Sequence, residues 1–385
     1  MMNIQIGISA LHVRPGKSGS HEPYMVNLIR AISHQNSKYK ISLFVTPENQ
    51  YLFKGNNKLL ELIIYPNIVR KRLPRIVFEQ LVLPIDAWRR GIQVLHYPGT
   101  VGSYFLRKSD VVTIHHDSKT QRSSMTWLRN FYFDILLRRN RRAGYLIVPT
   151  KFYGDVLVKD FKYSAKQIRA IHHGVLPIFS TNCKEEELVV IQRKWGIQKG
   201  SILAITNTLA HKNLPILLQA FEIVLTHYHE DRQLILIGNI DFHVLKKNID
   251  DVVTNRQLVD PRIKVIPYLP HEKLPPFYAI AGVMAFISIE ETFGMPIVEA
   301  MASGLPVVAS NIPVHCEVLD NAGLLVDPSD VDGVASKLFS VLTNQMLKKK
   351  LRKDGLERAK YFTWEKTASS TMRVYEDAAS LLHPS

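Results

Sequence analysis

Short β-branched runs alternate with longer helical stretches along this chain, in two successive series. In the first, Ile4–Ile8, Ile41–Val45, Val94–His96, Val111–Ile114 and Tyr145–Val148 have strand length and composition, and Tyr24–Ser33 has helical periodicity. In the second, Ile202–Thr206, Leu234–Ile237, Ile263–Ile266, Val283–Ile289 and Pro306–Ala309 read as strands, with Leu214–His227 helical between them. Alternation of this kind predicts parallel sheets covered by helices on both faces. Two series in 385 residues predict two doubly wound α/β domains. The polar stretch Ser180–Glu187 places the linker, giving domains 1–180 and 181–361. A final helix at about 362–383 is expected to pack back on the first domain.

In sheets of this class ligands bind beyond the C-terminal ends of the strands, often at helix N-termini. The most informative strand end lies in Val283–Ala309, VMAFISIEETFGMPIVEAMASGLPVVA. An apolar strand runs into Glu290 and Glu291, then into Thr292, Phe293, Gly294 and Met295. A helix opens at Pro296 and stops at Gly304, matching the preference for Pro at a helix start and Gly past its end. Backbone N–H groups from Gly294 onward, with the positive end of the helix dipole, form an expected anion site. Glu291 on the loop and Glu299 inside the helix flank it, and carboxylates are strong acceptors for paired sugar hydroxyls.

The E-x7-E spacing followed by AMASGLPVV resembles the nucleotide-sugar glycosyltransferases of family 4, which are retaining enzymes of the GT-B fold. Other segments are similar in order: the loop Gly16–Tyr24, FEQLVLP at Phe78–Pro84, VLHYPG at Val94–Gly99, HKNL at His211–Leu214 and LLVDPSD at Leu324–Asp330. The resemblance implies two Rossmann-like domains facing a central cleft, the first for the acceptor and the second for the donor. It implies that Glu291 contacts donor-sugar hydroxyls and Glu299 the ribose. Thr292, Phe293, Gly294 and Met295 would offer backbone amides, and Lys212 would neutralise the diphosphate. Gly19 would approach the diphosphate from the first domain, and His115 would stand beside the reacting sugar. No metal and no cofactor are expected, since lysine, amides and helix dipole stabilise the leaving group. The chain departs from the family at Asn207, Thr208 and His211, and Thr292 replaces a usual glycine.

Charge bears on the acceptor. The formal net charge is +15, yet residues 1–180 hold 27 Lys and Arg against 10 Asp and Glu, while the remainder holds 22 against 24. One domain is thus expected to face a polyanion. Val69–Arg75 (VRKRLPR), Ala87–Arg90 (AWRR) and Trp127–Arg142 (WLRNFYFDILLRRNRR) interleave arginines with apolar residues, the composition of an interfacial amphipathic helix. An anionic membrane surface is the expected partner, with a lipid-linked or cell-envelope glycan as acceptor. Nucleic acid is not expected, because no zinc module, RNA-binding aromatic signature or helix-turn-helix is present.

Other readings narrow. No apolar run approaches the ~18 residues of a membrane span. The opening MMNIQIGISALHV lacks a basic leader and a long apolar core, so no secretory signal is expected. Two cysteines, Cys183 and Cys316, suit a reducing compartment, so a cytoplasmic enzyme on the inner face of the plasma membrane is expected. His115-His116 and His172-His173 are poor chelators, because adjacent side chains diverge on a strand. Asp330-Val331-Asp332 precedes a helical pattern and reads as a cap. A nicotinamide-dependent oxidoreductase would need a G-x-G-x-x-G fingerprint that the chain lacks. A soluble small-molecule glycosyltransferase of the same fold, and a non-catalytic nucleotide-sugar binding module, remain alternatives.

Overall fold

A computed structural model describes residues 4–16, 21–35, 39–54, 60–115, 134–241, 243, 245 and 260–382. The chain divides into two compact units, residues 1–174 with 364–385, and residues 175–363. The first stretch of the first unit runs to Gly174, and the segment from Trp364 rejoins it.

The first unit carries seven parallel strands: β1 (Gln5–Ser9), β2 (Lys40–Val45), β3 (Leu60–Ile64), β4 (Val94–Tyr97), β5 (Val111–Thr113), β6 (Tyr145–Val148) and β7 (Ile168–Ala170), in the order β3-β2-β1-β4-β5-β6-β7. The second carries six: β8 (Ile202–Ile205), β9 (Leu234–Ile237), β10 (Ile263–Ile266), β11 (Val283–Phe286), β12 (Val307–Ser310) and β13 (Leu324–Val326), in the order β10-β9-β8-β11-β12-β13. Central strands such as β4, β9 and β11 are buried along their whole length, as expected of parallel strands with helices on both faces. In each sheet the strand order reverses at one point, between β1 and β4 and between β8 and β11. Ligands bind at such switch points in open α/β sheets.

The helix Trp364–Ser380 closes the chain in the first unit. Its Tyr375 hydroxyl lies 2.7 Å from His96 Nδ1 at β4, and Thr367 Oγ1 donates to the His172 carbonyl at 2.8 Å. Gln35 Nε2, just past the helix His21–His34, donates to Ser369 Oγ at 2.8 Å. Among the described residues no helix is long and apolar enough to cross a membrane.

Candidate active site

The second unit places two loops side by side at its switch point. Beyond β8 the chain turns through Ala210–Lys212, with Asn213 in the left-handed region at φ 54°, and enters the helix Leu214–Thr226. Asn213 Nδ2 donates to the Pro328 carbonyl at 2.7 Å, which fixes the turn. Beyond β11, Ile289 N–H donates to the His211 carbonyl at 2.8 Å and stitches the two loops together. Lys212 Nζ then meets Glu291 Oε1 at 2.5 Å and lies 5.3 Å from the centre of the Phe286 ring. Both side chains are largely withdrawn from solvent. Burial pushes the Glu291 carboxyl up, but the Lys212 ammonium and its hydrogen bond, with His315 and Ser288, hold it below the usual carboxylate range.

Gly294 follows at φ 88° and caps the helix Met295–Ala302. A side chain there would occupy a strained backbone and press within 3.2 Å of Ile297 Cδ1. Pro296, near the helix start, has no N–H to satisfy. The Phe293 side chain is core, set edge-on to Phe362, so only its backbone is left for a ligand. The sequence block thus builds the expected loop and helix N-terminus, with Thr292 and Met295 partly exposed beside Gly294.

Glu299 is buried at 1% exposure in the unit's core. Tyr278 donates its hydroxyl to Glu299 Oε2 at 2.6 Å, and His271 Nε2 lies 2.5 Å from Oε1. For His271 burial lowers the pKa, but the Glu299 charge and hydrogen bond outweigh it and leave the pKa raised. The Tyr278 hydroxyl is raised far above its usual range by burial and by Glu299. Sequence reasoning missed both partners, which lie on a separate loop and helix with no spacing that ties them to Glu299. It also missed His315. That ring is fully buried, with Nδ1 3.0 Å from the Ser310 carbonyl, so Nδ1 carries the proton and donates. Burial lowers its pKa to about 4, against the pull of Glu291. A pocket of about 470 Å³ opens beyond β8, β9 and β10, lined by Thr208, Gly238, Asn239, Asp241 and Pro267 among others. Of these, Thr208 was marked in the sequence, as a departure from the family pattern.

His115 lies two residues beyond β5 in the first unit and is buried. Its ring stands 4.4 Å from Tyr24, 4.8 Å from His21 and 5.5 Å from His173, between centroids. Gly19 and His116 lie outside the described residues. Asp330 caps the helix Val331–Thr343, accepting from Gly333 N–H at 2.8 Å, so the Asp-x-Asp spacing is spent on a helix start. Among the described residues no group of three metal-ligating side chains converges.

Residues 190–358 match the family model for glycosyl transferases group 1. The match spans less than half of the chain. The chain is 30% identical to an O-antigen chain mannosyltransferase B of Escherichia coli over 237 residues, 61% of this chain and 61% of the relative. The matched stretch thus spans less than two thirds of that protein. Among solved structures, a sucrose-phosphate synthase from Thermosynechococcus elongatus superposes with TM-score 0.73 at 17% identity, covering 98% of this chain and 100% of that one. The Anabaena protein HepE in complex with UDP-glucose gives TM-score 0.70 at 14% identity, with coverage of 98% and 100%. The fold is accordingly GT-B, with two parallel-sheet α/β domains.

Proposed function

We propose that this chain is a retaining glycosyltransferase of the family 4 type, moving a sugar from a nucleotide diphosphate donor to a hydroxyl of a lipid-linked or cell-envelope glycan. The observation that carries the reading is the Lys212–Glu291 pair at the β8/β11 switch point, beside the helix N-terminus that Gly294 opens. An ammonium and a row of backbone amides face the place where a leaving diphosphate develops charge, which is where fixed dipoles accelerate a transfer most. Lys212 holds the diphosphate and orients Glu291. Glu291 keeps lone pairs free for donor-sugar hydroxyls. Glu299 takes the ribose on its Oε1 side, where the ribose replaces His271. The pocket beyond β9 and β10 accommodates the rest of the nucleotide. Lysine, amides and helix dipole do this work without a metal or a cofactor.

The likeness to an O-antigen mannosyltransferase supports an envelope glycan as acceptor. The first unit carries 29 Lys and Arg against 13 Asp and Glu, which supports work at the cytoplasmic face of an anionic membrane. The test is transfer of labelled sugar from a panel of nucleotide sugars to a lipid-linked glycan. Turnover with one donor, lost in Glu291→Gln and Glu299→Gln, supports the reading. Donor binding with no turnover toward any hydroxyl acceptor would replace the enzyme with a binding module.

A further inference from the structure

The first unit displays an apolar stripe that stays exposed among the described residues. Residues 72–89 form one helical rod: Arg72–Val77, a widened π turn at Phe78–Val82, then Leu83–Arg89. Leu73, Val77, Leu81, Ile85 and Trp88 are all exposed, Leu73 at 75% and Trp88 at 72%. Their steps of four, four, four and three residues are helical. In an ordinary helix each step of four drifts by about 40° around the axis. The π turn, in which Leu83 N–H reaches the Phe78 carbonyl, winds more slowly and keeps Val77, Leu81 and Ile85 on one line.

The opposite side of the rod is firmly held. Leu83 and Ala87 are fully buried in the core. Ser9 Oγ donates to Glu79 Oε1 at 3.2 Å, and Asp86 binds both Tyr65 and Arg90. The stripe is therefore an outward face of a fixed element. Gln80 extends it, since Gln80 Oε1 accepts from Tyr104 N–H and Gln80 Nε2 donates to the Gly102 carbonyl. That ties the loop bearing exposed Tyr104 and Phe105 to the rod at Gln80, with the Arg139 guanidinium 3.7 Å from the centre of the Tyr104 ring. Lys71 and Arg89 stand exposed at the two ends of the rod.

We infer that this face is the membrane-docking element, seated on an anionic lipid surface with the apolar stripe in the headgroup–acyl boundary. The inference rests on the membrane-facing reading of the first unit and assigns it to one rod. Apolar residues at helical spacing with cations at both ends are what such a surface binds. A second copy is disfavoured by charge: a two-fold contact would set each face against itself and bring the same cations together. The other interfacial segment read from sequence, Trp127–Arg142, does not compete in its described part, because Leu136 and Leu137 are buried there.

The test is flotation of the full chain with phosphatidylcholine vesicles, with and without phosphatidylglycerol. The inference expects binding only to the anionic vesicles. It expects Val77→Ser/Leu81→Ser/Trp88→Ser, all at exposed positions, to keep the wild-type melting temperature and lose binding by about tenfold or more. The tryptophan emission of the wild type should shift to the blue on binding, and Trp88→Phe should remove that shift while keeping the binding. Absence of wild-type binding overturns the membrane reading itself. Binding by the wild type that survives in the triple variant overturns only the assignment to this rod. A dimer without lipid, dissolved by the triple variant, makes the stripe a subunit interface and also overturns it.

Discussion

The two units share one architecture and differ in how their functional surfaces are made. In the second unit the candidate site comes from one contiguous block, residues 283–309, completed by Lys212 from the neighbouring loop. In the first, the ring cluster around His115 gathers residues 21, 24, 115 and 173, and the exposed stripe runs along a helical rod. The second unit is near neutral and the first strongly basic. A site that binds one compact anion needs one cation and a helix end, whereas a surface that meets a charged sheet needs many weak contacts spread widely. Local chemistry and distributed chemistry leave different traces in a chain.

Variants in the second unit should have the largest effect. Lys212→Ala and Glu291→Ala should each lower transfer by about 10²–10³-fold or more, as loss of a charge-stabilising group at a reacting centre does. Steady-state kinetics check this, and near-wild-type turnover in either variant would break the contrast between the units.

Acid probes the stability of both units. Burial lowers the pKa of His96 to about 3 and that of His315 to about 4, and holds His12 well below its usual value. An imidazole whose folded pKa lies below its unfolded value stabilises fully above about pH 6.5 and less as pH falls. His96 and His315 should each withdraw about 2 kcal/mol by pH 5. His271 works in the opposite direction, because its raised pKa adds stability below about pH 6.5 that is lost as pH rises. In the first unit Glu79 and Asp110, whose carboxyls burial raises, offset part of the loss from His12 and His96; in the second His271 offsets part of the loss from His315 and His211. Hydrogen exchange resolved by unit at pH 7 and pH 5 reads the loss around His96 and His315, and unchanged protection at both would contradict it.

Two smaller effects separate backbone from chemistry. Gly294→Ala should destabilise by about 1–2 kcal/mol, because a side chain at φ 88° is strained. Asp330→Ala should cost about 1 kcal/mol as a lost helix cap and leave transfer unchanged with or without divalent cations. A metal-dependent loss of activity in Asp330→Ala would overturn the cap assignment.

Much of this was legible in the chain. The alternation of strands and helices forecast both sheets, and the E-x7-E block forecast the loop, helix start and helix stop of the candidate site. Three strands escaped notice: β3, β7 and β13, all at sheet edges. An edge strand is half-exposed and short, so it lacks the apolar run by which buried strands are read. Tyr278, His271 and His315 escaped for another reason, since contacts made only by folding carry no fixed spacing. The stripe at 73, 77, 81, 85 and 88 was visible as a periodicity, yet a helical period reports that a face exists and not whether protein or solvent meets it.

The central claim is that the second unit binds a nucleoside diphosphate through Lys212. Calorimetric titration of nucleoside diphosphates into the wild type and Lys212→Met tests it most directly. Melting curves run alongside confirm that the variant is folded. The account predicts saturable binding by the wild type and at least about tenfold weaker binding by Lys212→Met, the loss of one charge-assisted contact. Equal affinity in the two proteins would contradict it.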